Sequence, residues 1–413
     1  MSPAAADDFP TFDPFEVKVG QLLFYDPILS GNREVSCATC HHPDHGTSDG
    51  LSLGIGDGGK GLGPERVVDV SNPPEQRIPR NATGLWNLGF PEFSVMFHDG
   101  RLEADPTQPG GIRTPLGTDM VSGFDSVLAA QTMFPVLSAD EMAGHYGEND
   151  IAKAVRTGVL TGEGGAWDKI AARVEAIPEY RQWFYQVNGT EKVTFTDISN
   201  ALGSFIAVEW RADDSPYDRF LRDGASLPPE AEAGRQLFYG EAGCASCHSG
   251  QFQTDHGFYA IAMPQIGPGK AARFERHARD VGRMRVTGRA EDAYRFRVPS
   301  LRNVTETAPY GHAGAYASLE DTVRHHLNPV AALSAYDISH AVLPDMPSSD
   351  LRVMDSPEDL AAIAAANELD PVTLSDSQVA EILAFLGALT DEASLEGVLG
   401  VPDQVPSGLP VAQ

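Results

Sequence analysis

The sequence predicts a mainly α-helical protein that uses one structural plan twice. Three observations predict it. A short motif occurs two times, as Cys37-Ala38-Thr39-Cys40-His41 and as Cys244-Ala245-Ser246-Cys247-His248. Its upstream context is repeated as well. Gly20-Gln21-Leu22-Leu23-Phe24-Tyr25 precedes the first copy and Gly234-Arg235-Gln236-Leu237-Phe238-Tyr239 the second, each an apolar stripe followed by a loop. Finally, apolar residues recur at helical spacing while strand signals are weak throughout. C-x-x-C-H attaches a c-type haem: the two thiols form thioether bonds and the histidine becomes the proximal iron ligand. A repeat of helix plus haem motif implies a mainly α fold of two cytochrome c-like haem domains with long loops.

The two motifs use all four cysteines, so no thiol remains for a disulfide. Two C-x-x-C pairs brought together could instead hold zinc tetrahedrally, and spacing alone leaves that open. A thioredoxin-like pair would need a βαβ setting, and none is evident. The repeated helical context favours haem.

In chain order, the first domain is expected over residues 15–222. It opens with a helix near 17–25 and closes with one near 196–209, where Ile198, Leu202, Phe205 and Ile206 form a stripe. Ser, Gly and Pro between Asp214 and Pro229 read as a linker. The second domain is expected over 223–395. One helix starts at Ser356-Pro357, with proline at its first position. Another is announced by a Ser375/Gln378 capping box and a stripe of Val379, Ile382, Leu383, Leu386 and Leu389. The Gly/Pro-rich stretch 396–413 reads as a flexible tail.

At 413 residues and 42% apolar content the chain can bury real cores. Thirty basic against 58 acidic residues give a net charge of −28. That argues against nucleic acid, since phosphate binding needs a basic footprint. It suits attraction of a cationic partner, weakened by salt. No stretch approaches membrane-spanning length. The opening Met1-Ser2-Pro3-Ala4-Ala5-Ala6-Asp7-Asp8 has no apolar signal region. Covalent haem attachment in bacteria occurs outside the cytoplasm, so the expected compartment is the periplasm, with a leader already trimmed.

The ordered set of motifs resembles the bacterial di-haem cytochrome c peroxidases and their relative MauG, over nearly the whole chain. It comprises Phe24-Tyr25-Asp26-Pro27, Leu29-Ser30-Gly31-Asn32, the first haem motif with Ser36, and Asp99-Gly100-Arg101. Ser215-Pro216-Tyr217-Asp218-Arg219-Phe220, Phe296-Arg297-Val298-Pro299-Ser300-Leu301-Arg302-Asn303-Val304 and Thr307-Ala308-Pro309-Tyr310-Gly311-His312 complete it.

The resemblance implies that the first haem is the peroxide site. The family's distal motif falls on Gln131, Pro135, Glu141 and Met142. O–O heterolysis moves one proton from the near oxygen to the leaving oxygen, work suited to the carboxylate of Glu141. The neutral amide of Gln131 can hold the oxygen by hydrogen bonding. Classical members of the family carry a distal histidine on the loop after the first motif. Here Gly54-Ile55-Gly56-Asp57-Gly58-Gly59-Lys60-Gly61 has none, and His42 and His45 lie too near His41 to reach the other face. The first haem is therefore expected to be open or water-bound without reductive activation.

The second haem, with proximal His248, is expected to relay electrons. Its sixth ligand aligns with His326, and Leu319, Val323 and His326 share one helical face while His325 points about 100° away. Met263, Met346 and Met354 are weaker alternatives. The resemblance also implies a structural calcium at Asn81, Thr307 and Pro309, the last two through backbone carbonyls. Arg101 and Arg302 are expected to pair with haem propionates.

The pattern breaks at Phe97-His98-Asp99-Gly100-Arg101, where His98 replaces the family's tryptophan, a residue that relays charge between the haems. Imidazole is much harder to oxidise than indole. His98 could bind a propionate or ligate the first iron, and Trp86 is the nearest upstream indole. Residues 102–127 and 328–357 exceed the usual length and are expected as surface loops. His145, His256, His277 and His340 are expected to be surface or structural residues.

The expected function is a periplasmic di-haem peroxidase. It would reduce hydrogen peroxide with electrons from a small cytochrome c or cupredoxin, and the family's habit of dimerising allows a homodimer. The alternatives are a MauG-like oxidase of a partner protein, and a di-haem carrier or redox sensor without turnover.

Overall fold

The computed structural model describes residues 8–270 and 276–412. Residues 1–7, read above for a leader, and 413 lie outside the described residues. Seven helices build the first unit: α1 (Pro14–Tyr25), α2 (Cys37–Cys40), α3 (Val127–Gln131), α4 (Asp150–Arg156), α5 (Ala166–Glu175), α6 (Pro178–Asn188) and α7 (Phe195–Glu209). The second unit contains α8 (Pro216–Asp223), α9 (Pro229–Phe238), α10 (Met284–Thr287), α11 (Leu319–Leu327), α12 (Pro329–Ser334), α13 (Pro357–Ala365) and α14 (Asp376–Gly387). The strands are two or three residues long and pair antiparallel, as Gly59–Lys60 with Val67–Val68 and as Phe258–Tyr259 with Phe296–Arg297. Val95–Met96, Leu102–Ala104 and Ile112–Arg113 form a small meander. The mainly α expectation holds.

The repeated Gly-x-x-Leu-Phe-Tyr sequence has a packing cause. In α1, Gly20 lies against the backbone carbonyl of Ala201 on α7. In α9, Gly234 lies against the carbonyl of Glu381 on α14 in the same way. A Cβ at either glycine would collide with the facing helix, so each haem-motif helix needs glycine where it crosses its unit's closing helix. Leu23, Phe24 and Tyr25 are then fully buried, and Phe24 packs on Phe205 and Trp210 at ring-centroid distances of 5.3 and 5.2 Å. The capping boxes at Ser375/Gln378 and Thr194/Asp197 fix the starts of α14 and α7.

The division between the units lies earlier than residue 222. Buried apolar residues up to Ala212 belong to the first core, which also takes in Phe252 and Val405 from farther along the chain, and Tyr217 already belongs to the second, its ring 5.1 Å from that of Phe385. The first part of the stretch read as linker is helix α8, started by Pro216 and a Ser215/Asp218 capping box, whereas residues 224–228 form the connection to α9 without helix or strand.

The expected flexible tail is also corrected. Its backbone satisfies two polar side chains of the first unit. Leu399 N and Gly400 N each donate to Glu209 at 2.7 Å, and Gln21 Nε2 donates to the carbonyls of Leu399 and Gly400 at 3.1 and 2.6 Å. Ser407 donates to Asp26 at 2.6 Å, and Val405 is buried in the first core.

Charged residues join the two units. Arg80 binds Asp280 through Nε and Nη2 at 2.7 and 2.9 Å and Asp99 through Nη1 at 2.8 Å, with all three side chains buried. The long segment 328–357 also bridges them, since Ser52 N donates to the Val342 carbonyl and Arg77 pairs with Asp350.

Candidate active site

Both Cys-x-x-Cys-His motifs line one continuous cavity of about 820 Å3 between the units. In α2 the cysteines sit three residues apart on one helical face, and Thr39 closes a capping box with Ser36. The four thiols are unpaired. They do not converge as a zinc site would require. Among the described residues, the one set of three ligand atoms within 4.8 Å of one another contains no cysteine.

Three histidines lining the cavity share one hydrogen-bonding pattern. His41 Nδ1 donates to the Thr47 carbonyl at 2.9 Å, His248 Nδ1 to the Gln253 carbonyl at 3.0 Å, and His326 Nδ1 to the Thr322 carbonyl at 2.8 Å. A carbonyl only accepts, so each proton sits on Nδ1 and Nε2 is left for a metal. Burial lowers the pKa of all three, that of His248 to about 4 with His326 adding to the effect. Each is thus neutral, the form that ligates iron. Leu319, Thr322 and Val323 line the cavity beside His326, as the helical phase predicts. His325 is different: it accepts from Tyr316 Oη at 3.1 Å and donates to the Ile261 carbonyl at 2.8 Å, which occupies both nitrogens. Two thiol pairs and three neutral imidazoles with a free nitrogen fit two covalently held haems.

The distal candidates come together with the first motif. Gln131 ends α3, and Glu141 lies in a wide helical turn, Ala139–Ala143; both line the cavity with Pro135 and Met142. The amide oxygen of Gln131 is buried without a hydrogen-bond partner, so it has capacity for a guest. Burial raises the pKa of Glu141, while Lys270 and Arg101 act to lower it. Lys270 was not foreseen. It enters the cavity from the second unit, and burial, helped by Arg101, brings it down to about 8.

No histidine of the loop after the first motif enters the cavity. Arg66 holds that loop by donating to the carbonyls of Ile55, Gly56 and Gly61 at 2.5, 2.6 and 2.6 Å. Among the described residues, the histidines lining the cavity are His41, His98, His248, His312 and His326. His98 donates from Nε2 to the Asn81 carbonyl at 3.2 Å, and burial together with Arg80 drives its pKa to about 3. It is a neutral, tethered imidazole.

The arginine assignment is corrected. Arg302 spends all five N–H donors within the protein, on Asp218, Ser215 and the Gln251 carbonyl. It has none left for a propionate. Arg297, in the same motif, is the better candidate. It lines the cavity, is lowered to about 10 by burial alone, and donates only to the carbonyls of Phe97 and Val298, both at 3.3 Å. Arg101 lies over the Phe97 ring at 3.5 Å and reaches Asp99 with one nitrogen. Asn81, Thr307 and Pro309 line the same cavity, and the Asn81 amide nitrogen is turned to the Leu51 carbonyl at 2.9 Å.

Residues 14–226 match the family model described as di-haem cytochrome c peroxidase. The methylamine utilization protein MauG of Methylorubrum extorquens is 30% identical over 319 residues, 76% of this chain and 69% of that protein. The cytochrome c peroxidase Ccp of Escherichia coli is 30% identical over 76% of this chain, but the match spans only 53% of that longer protein. A cytochrome-c peroxidase of Pseudomonas sp. strain SCT, IdrP2, is 26% identical over 98% of this chain and 88% of its own length. Among solved structures, a MauG-like protein associated with microbial copper homeostasis superposes with a TM-score of 0.60 at 25% identity, covering 96% of this chain and 94% of that one. The diheme peroxidase BthA of Burkholderia thailandensis has the same fold, with a TM-score of 0.61 at 19% identity over 98% of this chain and 91% of that one.

Proposed function

The chain belongs to the di-haem cytochrome c peroxidase family, and on that premise we propose that it reduces hydrogen peroxide to water at its first haem site without prior reduction. Cys37, Cys40 and His41 would hold that haem, and Cys244, Cys247, His248 and His326 the second. Bound haem iron supplies the peroxide-binding position and the electron storage. The protein supplies the proton handling. Glu141, as a carboxylate, takes the proton from the oxygen nearer the iron and returns it to the leaving oxygen, which departs as water. The free amide oxygen of Gln131 accepts a hydrogen bond from the peroxide and fixes its orientation. Overall, one H2O2 takes up two electrons and two protons to give two waters.

The observation that carries this reading is that Glu141, Gln131 and His41 line one cavity, with no loop histidine among its lining residues. His98 favours a peroxidase over a MauG-like oxidase, because a neutral imidazole tied to Asn81 is a poor carrier of oxidising charge. Two one-electron deliveries are needed, which suits a small cytochrome c or cupredoxin donor drawn to the acidic surface. Arg297 and Arg101 are the proposed propionate partners. Asn81, Thr307 and Pro309 are the proposed calcium ligands, and periplasmic residence and a homodimer belong to the same reading. Among the described residues no helix is long and apolar enough to cross a membrane.

Glu141→Gln tests the proton role. The expected result is a loss of about 10²–10⁴-fold in kcat with both resting haem spectra intact. Unchanged turnover would remove Glu141 from the mechanism.

A further inference from the structure

Behind the wall that carries Glu141 lies a cluster that peroxide chemistry does not use. Asp57, on the glycine-rich loop after the first haem motif, is fully buried. His145 follows the Glu141 turn and is 8% exposed, yet neither of its ring nitrogens has a hydrogen-bond partner. Glu148, three residues on, is exposed. One ligand atom from each of the three lies within 4.8 Å of the other two.

The surroundings orient the two carboxylates. Asn32 Nδ2 donates to Asp57 at 3.0 and 3.1 Å and to Glu148 at 2.7 Å, and the backbone N–H of His145 donates to Glu148 at 2.7 Å. Asn32 is itself held, since its amide oxygen accepts from Asn149 at 2.9 Å. Gly144, at φ +79°, leaves the space open, because a Cβ there would press on Asn32, Glu148 and Asn149. Glu75 stands 3.7 Å from His145 Nδ1. Acidic side chains therefore surround an imidazole that lacks hydrogen-bond partners.

We propose that Asp57, His145 and Glu148 form a binding site for a divalent transition-metal cation. One imidazole and two carboxylates suit zinc or manganese better than calcium, which prefers an all-oxygen shell. Small side-chain rotations would bring the three donors to about 2.0–2.2 Å from the cation. Exposed Glu148 provides the entry route and water the remaining positions. The cation would neutralise the two carboxylates. It would also tie the glycine-rich loop to the turn bearing Glu141, extending a join already made by Asp57 N donating to the Glu141 carbonyl at 2.9 Å. The site is separate from Asn81, Thr307 and Pro309 and does not depend on the peroxidase reading.

The test is equilibrium dialysis of the full-length protein carrying both haems against Zn2+, with millimolar Ca2+ present throughout so that calcium-type sites stay filled. The wild type should take up one equivalent more than His145→Asn and Glu148→Gln. That equivalent should raise the unfolding temperature of the wild type alone. Glu148 is exposed, so its substitution leaves the fold intact and keeps the test valid if the His145 variant is unstable. No zinc bound by the wild type, or equal uptake by wild type and Glu148→Gln, would overturn the proposal.

Discussion

Arg302 holds Asp218 through two parallel hydrogen bonds of 2.6 and 2.7 Å, with both side chains almost completely buried. Asp218 is also the capping-box acid of α8, accepting from Ser215 N and Oγ. Two of the motifs that carry the resemblance thus clasp one another. The pair secures α8 to the second unit.

A stability prediction follows for Asp218→Asn. It would leave the Arg302 guanidinium buried without its counter-charge, a change that costs about 3–5 kcal/mol. Denaturant unfolding should show that loss while the resting haem spectra keep their form. Arg297→Met is expected to do the opposite, sparing stability and lowering the reduction potential of the adjacent haem, because a cation near the iron disfavours the ferric state. Potentiometric titration checks the second half. A stable Asp218→Asn, or an unmoved potential in Arg297→Met, would refute the respective role.

Lys270 should set the acid limb of the pH–rate profile. Glu141 works as a carboxylate, so activity falls as pH drops through its pKa. Burial raises that pKa and the Lys270 cation opposes the rise. Lys270→Met removes the opposition, and the acid limb of kcat/KM should move to higher pH. Lys270→Arg should largely preserve it. A limb that stays in place in Lys270→Met would show that the two groups do not interact during turnover.

The adjacent histidines of α11 should separate cleanly. His326→Ala removes the free Nε2 from the cavity, and the second haem should change from low-spin to high-spin by electron paramagnetic resonance. His325→Ala should leave the spectrum alone and lower the unfolding temperature, because His325 links Tyr316 to the Ile261 carbonyl. A low-spin second haem surviving in His326→Ala would exclude His326 as its ligand.

Features with a local cause could be read from the sequence. Haem attachment is local chemistry within five residues, and the repeat of helix plus motif is visible in the residues themselves, so the mainly α fold class was legible. The phase of α11 was legible too, since Leu319, Val323 and His326 face the cavity together. Features settled by distant partners were not. The tail has the composition of a free segment, yet Glu209 and Gln21, far away in sequence, bind its backbone. Arg302 and Arg297 sit in one motif, and only the position of Asp218 tells which of them is already paired. Lys270 reaches the site from the other unit with no motif around it. His145 reads as a surface residue until its burial and unpartnered nitrogens are seen together.

An open first haem site, with Glu141 carrying the proton, turns over peroxide as isolated. The direct measurement is to mix the protein, never reduced, with H2O2 and a reduced small cytochrome c, and to follow donor oxidation. Turnover should be immediate, with kcat/KM on the order of 10⁵ M⁻¹s⁻¹ or more, and with no lag that pre-reduction removes. Turnover that appears only after pre-reduction, or no donor oxidation at all, would contradict it.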